Sequence, residues 1–168
     1  RPFAPDTQRR LPSRSMNDFT MPSHRSADFI PAQIDDISVA WLNAVLGAEF
    51  GTVVSIDIAH FGEGVGILGE LARISLTYTS GESGPTSIVA KCASSSPENQ
   101  FLSVAMGFYL REVAFYQHMA DRVEIRVPHP FHAAASKTGV PFVLLIEDIE
   151  EASTPNQLDG ISVDEAQR

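Results

Sequence analysis

The sequence predicts an α+β fold, on three observations. Five short runs, at 52–60, 71–78, 86–93, 131–136 and 140–146, read as strands bounded by glycine, proline and polar turn residues. In the first two, successive side chains alternate between two faces, the period of a half-buried strand. Two other stretches, 36–46 and 107–121, carry apolar residues at helical spacing.

Residues 1–28 are rich in Arg, Pro, Ser and Asp without periodicity, and are expected to be a disordered tail. The chain does not begin with Met, so Met16 or Met21 is the expected natural start. In 36–46, Val39, Leu42 and Leu46 form a stripe joined by Trp41 and Val45. Asp36 or Ser38 can cap that helix and Gly47 suits its exit. In 52–60, Val54, Ile56 and Ile58 fall on one face and Ser55 and Asp57 on the other. Glycines 62, 64, 66 and 69 then make a loop before the strand 71–78. A polar turn at 79–85 leads to the third strand, which carries Lys91 in an apolar run.

A short helix at 99–106 precedes the stronger one at 107–121, which Val127-Pro-His-Pro ends. Two strands follow around the turn Lys137-Thr-Gly. Glu147-Asp-Ile-Glu-Glu reads as an exposed connector, with Glu147, Glu150 and Glu151 on a solvated face. Ser162-Val-Asp-Glu165 is a capping-box pattern that announces a helix with only a few residues left, so a fragment cut at its next element is expected.

Composition narrows the function. The net charge is −9, and the five Arg and two Asp of residues 1–25 leave −12 on the rest. An acidic body excludes binding nucleic acid through its phosphates, but leaves room for a small anion at a local basic spot. The lone Cys92 forms no intrachain disulfide or cysteine zinc site, and is read as a core residue. No apolar run approaches a membrane span and no leader is visible, so a cytoplasmic protein is expected. His129 and His132 flank a proline turn without carboxylate support and are read as loop residues; Asp35 and Asp36 are read as helix caps.

The chemistry concentrates in 58–93. Glycines let backbone N–H groups approach an anion closely, and a lysine two strands on can reach the same anion. On the 107–121 helix, Glu112 falls within an arc formed by Phe108, Phe115 and Met119, flanked by Tyr109, Val113 and Tyr116. An unpaired carboxylate there costs several kcal/mol. The chain has only two lysines, Lys91 and Lys137, and Lys91 sits in an apolar strand. Pairing Lys91 with Glu112 satisfies both charges; Arg73 or a groove facing solvent are the alternatives for Glu112, and snorkelling for Lys91.

Gly-Phe-Tyr-Leu-Arg-Glu-Val-Ala-Phe-Tyr (107–116) resembles the Y-x-R-E-x-x-F-Y helix of aminoglycoside-phosphotransferase-like small-molecule kinases, notably their ecdysteroid-kinase-like branch. Ser-Ile-Val-Ala-Lys (87–91), Arg126-Val-Pro and Phe142-Val-Leu-Leu-Ile-Glu-Asp-Ile are similar to that family's third strand, the approach to its fourth, and its fifth strand with hinge. The resemblance covers about 35–168. It implies a protein-kinase-like N-lobe at 29–149, a five-stranded antiparallel sheet with a packed C-type helix, and a hinge and linker at 150–168 opening a missing C-lobe. It implies ATP as cofactor, with Lys91 on the phosphates, Glu112 fixing Lys91, and Gly62, Gly64, Gly66 and Gly69 covering the nucleotide. Backbone groups around Glu147, Asp148 and Ile149 would meet adenine, and the acceptor would be a small-molecule hydroxyl. The family's catalytic Asp/Asn loop and metal-binding Asp match nothing here, so Mg²⁺ ligands and catalytic residues are expected in the C-lobe, and this chain is expected to be inactive alone.

Two other functions compete. One is a non-catalytic nucleotide-binding or interaction module. The other is a Rossmann dinucleotide domain, which needs a helix opening at the final glycine where 71–78 alternates as a strand.

Overall fold

The computed structural model describes residues 26–61, 68–149, 160 and 162–166. It is α+β. The strands β1 (Val53–Phe61), β2 (Gly69–Tyr78), β3 (Ser87–Ala93), β4 (Pro130–Ala135) and β5 (Phe142–Glu147) form one five-stranded sheet in the order β1-β2-β3-β5-β4. Every neighbouring pair is antiparallel. The helices are α1 (Val39–Leu46), α2 (Pro97–Ala105), α3 (Phe108–His118) and the four-residue α4 (Val163–Ala166). Because β2 starts at Gly69, no helix opens there, and the dinucleotide reading falls.

The tail was drawn to residue 28, but Ser26 to Asp28 already form a turn, closed by Phe29 N–H donating to the Ser26 carbonyl at 3.0 Å. The predicted helix 36–46 is shorter. A 3-10 turn (Ile34–Asp36) comes first, and the Asp36 carboxylate accepts the N–H groups of Ala32 and Gln33 there. Ser38 is the cap of α1, its hydroxyl accepting Trp41 N–H at 3.2 Å, and Gly47 leaves the helix at φ 63°.

Two cores lie on opposite faces of the sheet. Ile34, Trp41 and Leu42 cover one face, packing on Ala72, Ile74, Ile88, Ala90, Cys92, Val143 and Leu145. Burial there pushes the Cys92 thiol up to about 12, as suits a core residue. On the other face Tyr109 and Val113 of α3 pack on Ala93, Phe142 and Leu144. The α3 helix reaches over the β4 side and leaves much of β1 and β2 open; Ala59, Phe61 and Arg73 are exposed there.

One strand face differs from the sequence prediction. Val53 is buried and Val54 is 54% exposed, although Val54 was placed with Ile56 and Ile58. A register irregularity between Val53 and Ser55 turns the chain over. Asn43 of α1 holds it: its amide donates to the Val53 carbonyl at 2.9 Å and accepts Val53 N–H at 2.8 Å.

His132 also departs from its predicted loop role. It lies in β4, edge-on to Trp41 with centroids 5.5 Å apart, and its buried Nε2 has no hydrogen-bond partner among the described residues. Burial lowers its pKa below the ordinary 6.5. The unfolded chain therefore takes up a proton near pH 6.5 that the folded chain resists, and this contribution costs stability as pH falls below that value. Urea unfolding at pH 7.5 and 5.5 should show a loss of stability in the native chain that is smaller in His132→Phe.

Candidate functional site

Lys91 stands in the middle of β3, on the sheet face that α3 half covers. Its cross-strand neighbours are Leu71 on β2 and Leu144 on β5. An ammonium among such neighbours must find a counter-charge. Lys91 Nζ donates to both carboxylate oxygens of Glu112, at 2.7 and 2.9 Å. The two side chains are 25% and 28% exposed, so the pair sits at the margin of the core, in partial contact with solvent. The Glu112 charge adds to burial in raising the Tyr116 pKa.

Gly69 explains how the lysine gets there. A Cβ at position 69 would lie 2.9 Å from the Cys92 carbonyl oxygen and 3.0 Å from Lys91 Cε. The lysine stem thus occupies the space a side chain would need. Glycine at 69 is a requirement of close approach.

Tyr109 holds α3 in place. Its ring stacks on Phe142 with centroids 4.7 Å apart, and it is 1% exposed. Its hydroxyl donates to the Leu68 carbonyl at 2.7 Å and accepts Ser94 N–H at 3.1 Å. One phenol thus ties α3 to the start of β2 and the end of β3. The helical wheel gave Tyr109 only an apolar role; the signal was a tyrosine at a core position, whose hydroxyl demands partners.

At the end of β5 the structure corrects the sequence reading. Glu147 keeps a third of its side chain exposed, but it is not a free carboxylate. It accepts from Arg126 Nη1 and Nη2 at 2.9 and 2.6 Å and from His129 N–H at 3.0 Å. Those hydrogen bonds, Arg126 first, lower its pKa to about 2. The Asp148 side chain is 4% exposed. It takes a two-pronged contact from Arg73, one prong at 3.0 Å, and the Ser87 hydroxyl at 2.6 Å. The Arg73 contact comes first among the causes that hold the Asp148 carboxyl below its usual range, against the opposing effect of burial. An exposed connector was predicted because the cations lie far off in sequence, at 126 and 73. Arg73 is therefore the partner of Asp148, not of Glu112. Glu150 and Glu151 lie outside the described residues.

Gly69, Lys91 and Glu112 come together. Glu147, Asp148 and Ile149 lie at the other end of the sheet, with Glu147 paired to Ile88 and so on the opposite face from Lys91, and they border a cleft of about 400 Å³ with Pro85, Thr86, Ser87, Arg126 and Phe131. Lys91 and Glu112 do not line it. Between the two groups runs an open shelf: Leu71, Val89 and Ile146, all partly exposed, share the Lys91 face by register. Gly62, Gly64 and Gly66 lie outside the described residues. Among the described residues no three His, Cys, Asp or Glu side chains converge as a metal site, and no helix is long and apolar enough to cross a membrane.

No family model, curated protein or solved structure matches this chain.

The Gly69 geometry is testable. A double-mutant cycle over Lys91→Met and Glu112→Gln should give a coupling of about 1 kcal/mol in the native background. In a Gly69→Ala background, where the new methyl displaces the lysine stem, the coupling should fall close to zero. Denaturant titration of the variants measures both.

Proposed function

We propose that this chain is the ATP-binding lobe of a phosphotransferase that moves the ATP γ-phosphate to a hydroxyl of a small molecule. The kinase family named above is the best account of its sequence. The single observation that carries the reading is the Lys91–Glu112 pair. An ammonium has three N–H donors, and Glu112 takes two of them. The third, on a side chain still a quarter exposed, suits one phosphate oxygen. Glu112 aims that ammonium, and the glycine at 69 keeps its path clear.

Further support comes from the shelf. It offers a partly exposed apolar surface of Leu71, Val89 and Ile146 beside the ammonium, of the kind a planar base packs on. At its far end, past β5, lies the backbone of Asp148 and Ile149, where the family reading puts the edge of adenine. The sheet order and the helix carrying Glu112 also agree with a protein-kinase-like N-lobe.

ATP supplies the phosphoryl group, and this chain's part is to bind and orient it. Transfer also needs a base for the acceptor hydroxyl and carboxylates for Mg²⁺, and the reading assigns these to a second lobe. A non-catalytic nucleotide-binding module would share the same lysine and glutamate. The two part company on turnover by a chain that includes the second lobe.

The intact 168-residue chain is expected to bind ATP without hydrolysing it. Lys91→Met should weaken that binding about tenfold or more while leaving the circular dichroism spectrum unchanged. Isothermal titration calorimetry decides: equal affinity in the native chain and the variant removes the lysine from the site.

A further inference from the structure

Arg73 has a placement that the phosphate-binding pair does not account for. It is directly opposite Val89 in the β2–β3 register, so its side chain leaves the sheet on the Lys91 face. It is two residues from Leu71, the neighbour of Lys91, which is about 7 Å along the strand. A base lying there has its phosphates within reach of the ammonium. The guanidinium is held on one edge by the Asp148 carboxylate, and that carboxylate is itself fixed by the Ser87 hydroxyl. On another side the Phe61 ring lies with its centroid 6.0 Å from the guanidinium carbon. The side chain is still 50% exposed.

A planar cation held rigid at its edge, half open, beside an apolar shelf is a stacking surface. A π-system is attracted to it both by dispersion and by its charge. A lysine in the same place would keep a charge near Asp148 but lose both the second prong of that contact and the plane.

We infer that Arg73 is the base-recognition residue of this site: a purine nucleotide stacks its ring on the Arg73 guanidinium, over the shelf of Leu71, Val89 and Ile146, while its phosphates reach Lys91. This rests on the nucleotide reading given above. It adds the residue that selects the base. Asp148 and Ser87 are positioning residues, since they act by fixing the guanidinium. Affinity for the base then depends on the plane of the cation, and affinity for the phosphates does not.

The test separates the two ends of the ligand. ATP and inorganic tripolyphosphate are titrated into the intact chain and into Arg73→Lys and Lys91→Met, with thermal midpoints recorded for each. Arg73→Lys should bind ATP about tenfold more weakly and bind tripolyphosphate as the native chain does, with a thermal midpoint that still shows a folded chain at the titration temperature. Lys91→Met should weaken both ligands. If Arg73→Lys binds ATP normally while Lys91→Met is impaired with both, the stacking role is overturned and the phosphate site stands. Equal weakening of ATP and tripolyphosphate in Arg73→Lys overturns it too, since the guanidinium would then act only as charge. If the native chain binds neither ligand, or Lys91→Met changes nothing, the nucleotide reading itself fails and the stacking role with it. A measurement without variants guards against misfolding of Arg73→Lys: the native chain should bind ATP several-fold tighter than CTP, whose ring is smaller, and equal affinities overturn the inference.

Discussion

Two opposite charges on an apolar sheet face constrain everything around them. Lys91 rises between Leu71 and Leu144, and Glu112 descends from a helix whose other inward residues are Tyr109 and Val113. Neither charge is tolerable there alone, because the loss of hydration is several kcal/mol for each ion. Together they are stable enough to be placed, and their placement dictates the rest. The helix must dock at the height of Lys91. The strand beside it must present no side chain where the lysine stem passes, and Gly69 meets that demand. The tyrosine one turn earlier on α3 must then anchor the helix to the strand ends, which its hydroxyl does through Leu68 and Ser94.

The two faces of the sheet divide the labour. The face under α1 is closed: Trp41, Leu42, Ile74, Ile88 and Leu145 are all fully buried. Burial of that kind is worth about 1.5–3 kcal/mol for each large side chain, so this face supplies most of the fold's cohesion. The other face is only half covered, and its exposed half is crossed by ion pairs instead of aliphatic contacts. There Arg73–Asp148 joins β2 to the segment after β5, and Lys91–Glu112 joins β3 to α3; Arg126–Glu147, with Glu147 on the opposite face by register, joins the approach to β4 with the end of β5. Each pair fixes a direction, and the nearly buried Asp148 carboxylate depends on its arginine. A sheet face finished with charges held in place, and with no second layer of apolar side chains, is suited to receive something from outside.

What could be read in the sequence, and what could not, follows from where conflict is visible. Glu112 among Phe108, Phe115 and Val113 is a charge in the wrong company, and so is Lys91 after Ile88 and Val89. Such violations of pattern name their own remedy, and the structure brings the two together at 2.7 Å. The strands and both long helices were legible for the same reason, since period two and period 3.6 leave their mark on the order of residues. Glu147 and Asp148 carry no such mark. They stand at the end of a strand where acidic residues are ordinary, and their partners Arg126 and Arg73 lie far away in sequence. The Val53 reversal was hidden because Val54 fits the alternation equally well. It took the amide of Asn43, on another element, to choose between the valines. Gly62, Gly64 and Gly66 are outside the described residues, so the sequence pattern alone speaks for them.

The charge of the chain sharpens the reading of its open face. Outside the first 25 residues the balance is −12, and the site lysine is already neutralised by Glu112. An approaching phosphate would therefore meet no long-range attraction, since the field of such a body is repulsive and is screened over about 10 Å in ordinary salt. Any affinity for a nucleotide must come from contacts at short range. A paired ammonium serves that end better than a free one: its direction is set before the ligand arrives, so little side-chain entropy remains to be lost. The same holds for Arg73, whose plane is set by Asp148. A cluster of unpaired lysines would attract every polyanion. Two cations, each already held by a carboxylate, would attract none at a distance, so under the proposed reading selectivity would come from how closely a ligand's groups match two fixed directions.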